Sequence, residues 1–144
     1  MSTLQLLAAD GNRLSAYIVK PEGTPRGAIV VVQEIFGVNS HIRRVAEQYA
    51  AAGYVAIAPA LFDRLAKGVE LGYDAAGLQA GLDFMARTTD EGVLADVRAA
   101  IDAVRHDGRV GMVGYCWGGR VTYLSGCKTD IAAGVAYYGG GTTQ

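Results

Sequence analysis

Residues 114–118 read Gly-Tyr-Cys-Trp-Gly, which is the Gly-x-nucleophile-x-Gly pattern of a nucleophile elbow, with Cys where Ser is usual. Residues 109–113 before it have the apolar character of a short buried strand, and residues 119–125 after it can continue as a helix. A strand, a tight turn and a helix are the context that this motif needs, and the turn holds its nucleophile in a strained conformation. The stretch therefore predicts a reactive Cys116 at the end of a strand.

Two properties of the predicted turn bear on the thiol. Gly114 and Gly118 allow neighbouring backbone to approach where a Cβ would clash. The thiol would lie at a helix N-terminus, whose unpaired N–H groups favour a thiolate. The alternative is a buried cysteine on a glycine-rich turn, because free Cys is among the most buried residue types. The flanking strand and helix favour the nucleophile, and Cys127 is expected to be an ordinary half-buried residue at the end of the helix.

Length and composition indicate one globular domain over residues 1–144, with 51% apolar residues and a formal net charge of −1. No basic face suggests a nucleic-acid partner, and no apolar run approaches the roughly 20 residues of a membrane span. The N-terminus shows no secretory signal, and two cysteines do not make a disulfide framework. A reduced, cytoplasmic setting is therefore expected.

Hydrophobic patterns along the chain predict alternating strands and helices after an initial hairpin, which turns at Asp10-Gly11. Residues 61–81 have a weaker pattern interrupted by glycines and are interpreted as a loop with a short helix. The predicted strands are 3–8, 14–19, 28–32, 55–58, 109–113 and 131–138, and the predicted helices are 41–52, 90–106 and 119–125. This order predicts an α/β fold with a mostly parallel sheet, helices on both faces and an N-terminal hairpin.

Two further segments extend the motif set. Residues 33–39 read Gln-Glu-Ile-Phe-Gly-Val-Asn, and residues 134–139 read Gly-Val-Ala-Tyr-Tyr-Gly. Together with residues 114–119 they resemble the dienelactone hydrolase (carboxymethylenebutenolidase) family of α/β-hydrolases, over essentially the whole chain. The resemblance implies hydrolysis of a lactone or carboxylic ester, a small-molecule substrate, through a cysteine nucleophile and a thioester acyl-enzyme. No cofactor is expected, because no His/Cys cluster has zinc spacing and no Gly-x-Gly-x-x-Gly opens a helix.

The resemblance also assigns roles to individual residues. Cys116 would be the nucleophile, and Glu34 would contact the thiol and help to generate the thiolate. The backbone N–H groups of Ile35 and Trp117 would form the oxyanion hole, and Phe36 would lie near the substrate. Independently of the family, Glu34 follows the strand 28–33 at its C-terminal end, at the sheet edge where catalytic loops gather. Taken alone, it could equally be an ordinary exposed loop carboxylate.

This chain departs from the family pattern in its triad, which continues from Cys to an Asp and then a His after later strands. The resemblance implies that the chain is the N-terminal portion of such an enzyme, that the part carrying the Asp and His is absent, and that residues 1–144 alone are inactive. Residues 75–79, aligned with an arginine that clamps the carboxylate of a dienelactone, read Ala-Ala-Gly-Leu-Gln. The family's named substrate is therefore not implied for this chain.

The other titratable residues do not replace the missing triad members. His41 and His106 stand before the elbow, in the wrong order, and are predicted to be solvated helix-end residues. Asp130 precedes the last strand and so belongs at the opposite sheet edge. Asp63 lies near the correct edge, but the family gives it no triad role.

Two other functions remain open on the sequence. One is a truncated or decayed hydrolase that binds a small molecule or partner without turnover. The other is a thiol-redox protein, which the lack of a Cys-x-x-Cys motif disfavours. The sequence leaves the oligomeric state open.

Overall fold

The computed structural model describes residues 1–140, and this part of the chain contains six β-strands, four α-helices and two short 3-10 helices. The last four residues of the predicted domain, 141–144, lie outside the described residues. The strands are β1 (Ser2–Leu7), β2 (Arg13–Val19), β3 (Ala28–Val32), β4 (Val55–Pro59), β5 (Val110–Tyr115) and β6 (Ala133–Tyr137). The helices are α1 (Ser40–Ala51), α2 (Ala75–Arg87), α3 (Asp90–Val104) and α4 (Trp117–Lys128), and the 3-10 turns are Leu61–Arg64 and Arg105–Asp107.

The strands form one sheet in the order β1-β2-β4-β3-β5-β6. The hairpin strands β1 and β2 are antiparallel to each other, and β2 is antiparallel to β4. From β4 through β3 and β5 to β6 all pairings are parallel. The predicted α/β fold, with its mostly parallel sheet and N-terminal hairpin, is confirmed. Because β3, β5 and β6 are parallel neighbours, the loops that follow them emerge at one edge, which we call the carboxyl edge.

Helices cover both faces of the sheet, as predicted. Successive residues of β3 point to opposite faces: Val31 packs in a cluster with α1, whereas Val30 and Val32 pack in the cluster that includes α3 and α4. All three valines are fully buried, which explains the continuous β-branched run. Helix α1 begins where the Asn39 side chain accepts a hydrogen bond from the N–H of Ile42 at 3.1 Å, which satisfies one of the first-turn donors.

Residues 61–81 were predicted to be a loop with a short helix, and the predicted helix was too short. The structure has a 3-10 turn at Leu61–Arg64 and a helix α2 of 13 residues that continues to Arg87. Asp74 begins this helix by accepting from the N–H of Gly77 at 2.7 Å. Gly81 looked like a break in the sequence, but it is buried against the carbonyl of Ile35, where a Cβ would overlap that oxygen. The glycine therefore marks a close approach of α2 to the loop after β3.

Cys127 lies in the last turn of α4, which ends at Lys128, as predicted. The prediction that it is half-buried was wrong, because its side chain is exposed.

Candidate active site

Cys116 forms the turn between β5 and α4 and is the cap of that helix. Its φ of 57° lies in the left-handed region, which few residues other than glycine adopt. The conformation is held from two sides. The N–H of Cys116 donates to the carbonyl of Tyr137 at 3.0 Å, and its own carbonyl accepts from the N–H of Gly119 at 2.9 Å. The strained turn predicted from the motif is present, and it leaves the thiol-bearing residue half-buried at the carboxyl edge.

The glycines of the motif permit this turn by close packing. A Cβ on Gly118 would lie 2.5 Å from the carbonyl oxygen of Val32, and a Cβ on Gly114 would overlap the carbonyl oxygen of Gly118. The first turn of α4 therefore rests directly on the ends of β3 and β5. Any larger residue at either position would push the helix, and with it Cys116, away from the sheet.

Glu34 lies in the loop that follows β3 and is half-buried. Its carboxylate accepts hydrogen bonds from two phenols: Oε1 from Tyr73 at 3.0 Å and Oε2 from Tyr138 at 3.4 Å. Among the hydrogen bonds of residues 1–140, none joins Glu34 to Cys116. Burial raises the pKa of Tyr138 above its usual range, and the nearby charges of Glu34 and of a Cys116 thiolate raise it further. Tyr138 thus contacts Glu34 directly through its hydroxyl.

Gln33 is a site residue that the sequence analysis quoted but gave no role. It is fully buried, and its side chain spans two loops of the carboxyl edge. Its Nε2 donates to the carbonyl of Glu34 at 3.0 Å, and its Oε1 accepts from the N–H of Leu61 at 3.0 Å. The backbone of Glu34 is therefore fixed to the loop after β4. A polar residue that ends a run of buried valines is visible in the sequence, but its partner Leu61 is not, because it comes from another loop.

The residues predicted to supply the oxyanion hole are buried on this edge. Ile35 directly follows Glu34, and Trp117 is the first residue of α4, where a backbone N–H has no acceptor within the helix. In the described part of the chain, neither of these two N–H groups donates to another protein group. The Trp117 ring is stacked on Phe62, in the 3-10 turn after β4, at a centroid distance of 5.2 Å.

Phe36 and Tyr73 form an aromatic pair beside Glu34. Their ring centroids are 4.5 Å apart, and the Phe36 ring is half-buried. The Tyr73 hydroxyl accepts a hydrogen bond from Nδ2 of Asn39 at 2.9 Å. The sequence analysis missed Tyr73 because it lies in the irregular segment before α2, where no motif or periodicity singles out one residue.

The histidines and the other candidate carboxylates take no part in the arrangement around Cys116. His106 is exposed and pairs with Asp107, as expected for a solvated residue. His41 lies in the first turn of α1, as predicted, but it is half-buried and lies edge-on to the ring of Tyr115, with centroids 6.3 Å apart, so it is less solvated than predicted. Within residues 1–140, no hydrogen bond joins either histidine to Cys116. Asp130 forms an ion pair with Arg105 at 2.7 Å at the other end of β6.

Asp63 is 5% exposed and accepts two backbone hydrogen bonds, from Ser15 at 2.8 Å and from Gly68 at 3.0 Å. It ties the loop after β4 to strand β2. Across residues 1–140, no group of three or more His, Cys, Asp or Glu side chains could hold a metal ion. In the same range, no helix is long and apolar enough to cross a membrane.

Comparison with known proteins identifies relatives of this chain in one enzyme family. The sequence model of the dienelactone hydrolase family matches residues 14–144. A putative carboxymethylenebutenolidase of Synechocystis is 36% identical over 146 residues, covering 97% of this chain and 59% of the relative. A carboxymethylenebutenolidase of Pseudomonas putida is 34% identical, covering 96% of this chain and 61% of the relative. The chain thus spans about three-fifths of the length of these relatives.

Solved structures agree with the sequence relatives. A putative dienelactone hydrolase from Klebsiella pneumoniae superposes with a TM-score of 0.78 at 32% identity, covering 96% of this chain and 61% of that one. The esterase Pf2001 of Pyrococcus furiosus superposes with a TM-score of 0.67 at 18% identity, covering 96% of this chain and 51% of that one, which is a likeness of fold alone.

Proposed function

This chain belongs to the dienelactone hydrolase family, and on that premise we propose that its carboxyl edge hydrolyses a lactone or carboxylic ester through Cys116. The observation that carries the proposal is the backbone of Cys116, held at a φ of 57° on the N-terminus of α4. A thiol in that position is close to the unpaired N–H groups of the helix, which favour its nucleophilic thiolate form. The names of the relatives are those of hydrolases, so a non-catalytic binding module is not favoured.

In the proposed acylation, the sulfur of Cys116 forms a bond to the carbonyl carbon of the substrate. The negative charge that develops on the carbonyl oxygen is stabilised by the N–H groups of Ile35 and Trp117. The bond to the leaving oxygen then breaks, the alcohol takes up a proton, and a thioester remains on the enzyme. Glu34 assists by favouring loss of the thiol proton. Water attack on the thioester releases the acid and returns the thiol, so one difficult hydrolysis becomes two easier steps.

The two steps make different demands on the chain. Residues 1–144 include the proposed nucleophile and oxyanion donors, whereas the Asp and His that the resemblance places after later strands lie outside this span. We expect a polypeptide of these residues to acylate and then to stall, because a water must be activated to attack the thioester. A chromogenic ester should give a burst of about one product per chain without a steady state. Sustained turnover, with an intact mass that matches residues 1–144, would contradict this and would assign the base to His41, His106 or a second chain.

Alkylation of the two cysteines tests the nucleophile itself. Cys127 is exposed and Cys116 is half-buried, so exposure alone predicts faster labelling of Cys127. The proposal predicts the reverse, because a thiolate at a helix N-terminus reacts faster than an ordinary thiol. Native protein should be treated with limiting iodoacetamide and the labelled peptides quantified, with urea-unfolded protein as the control in which both cysteines react alike. Faster labelling of Cys127 in the native protein would contradict the assignment of Cys116.

A further inference from the structure

We propose that Tyr73 is a positioning residue that holds Glu34 in place through a directed chain of hydrogen bonds beginning at Asn39. The inference rests on the proposed function, because Glu34 matters to the reaction only if Cys116 is the nucleophile. It concerns a residue outside the three sequence motifs. The chain runs from the N-terminus of α1, through one phenol in the loop before α2, to the carboxylate beside the elbow.

The direction of the chain follows from helix capping. Oδ1 of Asn39 accepts from the backbone N–H of Ile42, which can only donate. The amide of Asn39 must therefore present Nδ2, a donor, to the hydroxyl of Tyr73 at 2.9 Å. Since that contact uses the hydroxyl oxygen as an acceptor, the one phenolic proton is directed to Oε1 of Glu34 at 3.0 Å. The cap of α1 thus determines which group Tyr73 donates to.

This contact also distinguishes the two oxygens of the carboxylate. Oε1 is held by Tyr73, whose own position is fixed by Asn39 and by the Phe36 ring 4.5 Å away. Oε2 has the longer contact, 3.4 Å to Tyr138, the residue that experiences the charges of both Glu34 and Cys116. Tyr73 therefore holds one oxygen of the carboxylate, Oε1, and leaves Oε2 to the longer contact with Tyr138.

The setting of Tyr73 favours a positioning role over a structural one. The residue is 62% exposed, so little apolar area depends on it. Its hydroxyl nevertheless has two polar partners, and both belong to the carboxyl edge. Removing the hydroxyl alone leaves the ring against Phe36, so the effect on Glu34 can be measured without loss of packing.

The first experiment measures acylation of the full chain by a chromogenic ester. Tyr73→Phe removes the donor to Glu34. Asn39→Asp keeps the acceptor for Ile42 but offers a second acceptor to the phenol, which draws its proton away from Glu34. Each change should lower the acylation rate about tenfold, the effect of losing a hydrogen bond to a charged group. The double variant should acylate no more slowly than either single variant, because without the Tyr73 hydroxyl there is no proton for Asp at position 39 to redirect. A slower double variant would show that the added charge itself lowers the rate. Tyr123→Phe, exposed on α4, is the matched control and should have no effect.

A second measurement reports the contact without acylation. The charge and hydrogen bond of Glu34 raise the pKa of Tyr73, after the larger effect of burial, while the Asn39 contact lowers it. NMR titration of Cζ-labelled tyrosine, with Tyr73 assigned through Tyr73→Phe, should show a lower pKa for Tyr73 in Glu34→Gln. A Tyr73 titration that Glu34→Gln leaves unchanged would overturn the inference, whatever the acylation rates.

Glu34→Gln in the acylation assay separates the two proposals. If Glu34→Gln slows acylation and Tyr73→Phe does not, the role of Tyr73 is overturned while that of Glu34 stands. If Glu34→Gln leaves acylation unchanged, both roles are overturned. If Tyr73→Phe still slows acylation in the Glu34→Gln background, Tyr73 acts by some other route and the positioning role is overturned. Slowing by Tyr73→Phe that disappears in the Glu34→Gln background supports it.

Discussion

Asp63 and Glu34 occupy equivalent places, yet the structure treats the two carboxylates differently. Each follows a buried parallel strand, and each lies at the carboxyl edge. Asp63 is almost completely buried and receives two backbone N–H groups, one from β2 and one from the loop at Gly68. Glu34 is half-buried and receives two phenolic hydroxyls, from Tyr73 and Tyr138.

The two carboxylates differ in the type of donor: backbone N–H groups for Asp63 and side-chain hydroxyls for Glu34. Backbone N–H groups cannot rotate away, so the two bonds of Asp63 connect fixed points and break only with the local fold. The donors to Glu34 are side-chain hydroxyls, so its position depends on how those side chains are themselves held, as Tyr73 is by Asn39. Asp63 therefore joins two backbone segments, whereas Glu34 is held by side chains, which fits the part in the reaction that we propose for it.

The sharpest way to break the comparison is Glu34→Gln, which keeps the shape of the side chain and removes its charge. The rate of acylation should fall by about 10²- to 10⁴-fold, the usual contribution of general-base assistance. The urea midpoint should remain close to that of the unchanged protein, because the amide oxygen can still accept from one phenol and the exposed Tyr138 can donate to water instead. Single-turnover acylation gives the rate, and circular dichroism in urea gives the midpoint. Normal acylation would make Glu34 as structural as Asp63.

The reciprocal change, Asp63→Asn, should give the opposite pattern with a smaller effect. The amide can satisfy only one of the two backbone donors, so the free energy of unfolding should fall by about 1–3 kcal/mol. Acylation by the folded protein should be unchanged. Asp83→Asn is the control: its side chain is exposed on α2, and surface changes of this kind stay within about 0.5 kcal/mol. A large loss of acylation in folded Asp63→Asn would remove the distinction between the two sites.

A third carboxylate, Asp10, is exposed, and we expect it to have a smaller effect on stability than Asp63. Its hydrogen bonds with Arg64 hold its pKa below the usual 3.8. A carboxyl group with a lowered pKa stabilises the folded state above its unfolded value, and this contribution is lost as the pH falls through the folded one. Asp10→Asn should therefore be slightly less stable than the unchanged protein above pH 4, with the two curves converging below that pH. Urea melts at several pH values measure this, and a difference that grows on acidification would contradict it.

The sequence predicted those parts of the fold that local patterns determine. The buried strands, the capped helix α1 and the elbow all have a period, a cap or a motif, and the structure has them within a few residues of the predicted bounds. Helix α2 was underestimated because Gly81, which weakens the helical pattern, is required by contact with Ile35, a residue far away in the sequence. A close approach of this kind leaves no local signal.

The same limit applies to the candidate site. The elbow motif and the family resemblance identified Cys116 and Glu34 as candidates from the sequence. Tyr73 and the bridging role of Gln33 could not be predicted, because their partners come from other loops and depend on how three strand ends meet. For Cys127 the sequence predicted the helix but not the exposure, because exposure depends on which other elements cover the C-terminal end of α4.

The hydrogen bond between β6 and Cys116 offers a way to monitor opening of the sheet beside the candidate site. Among the described residues, β6 pairs with β5 at one edge of the sheet, and Tyr137 at its end accepts the N–H of Cys116. The backbone amide of Cys116 is thus hydrogen-bonded to the end of β6. The rate of deuterium uptake at the Cys116 amide would therefore report how often the hydrogen bond between β6 and the elbow opens.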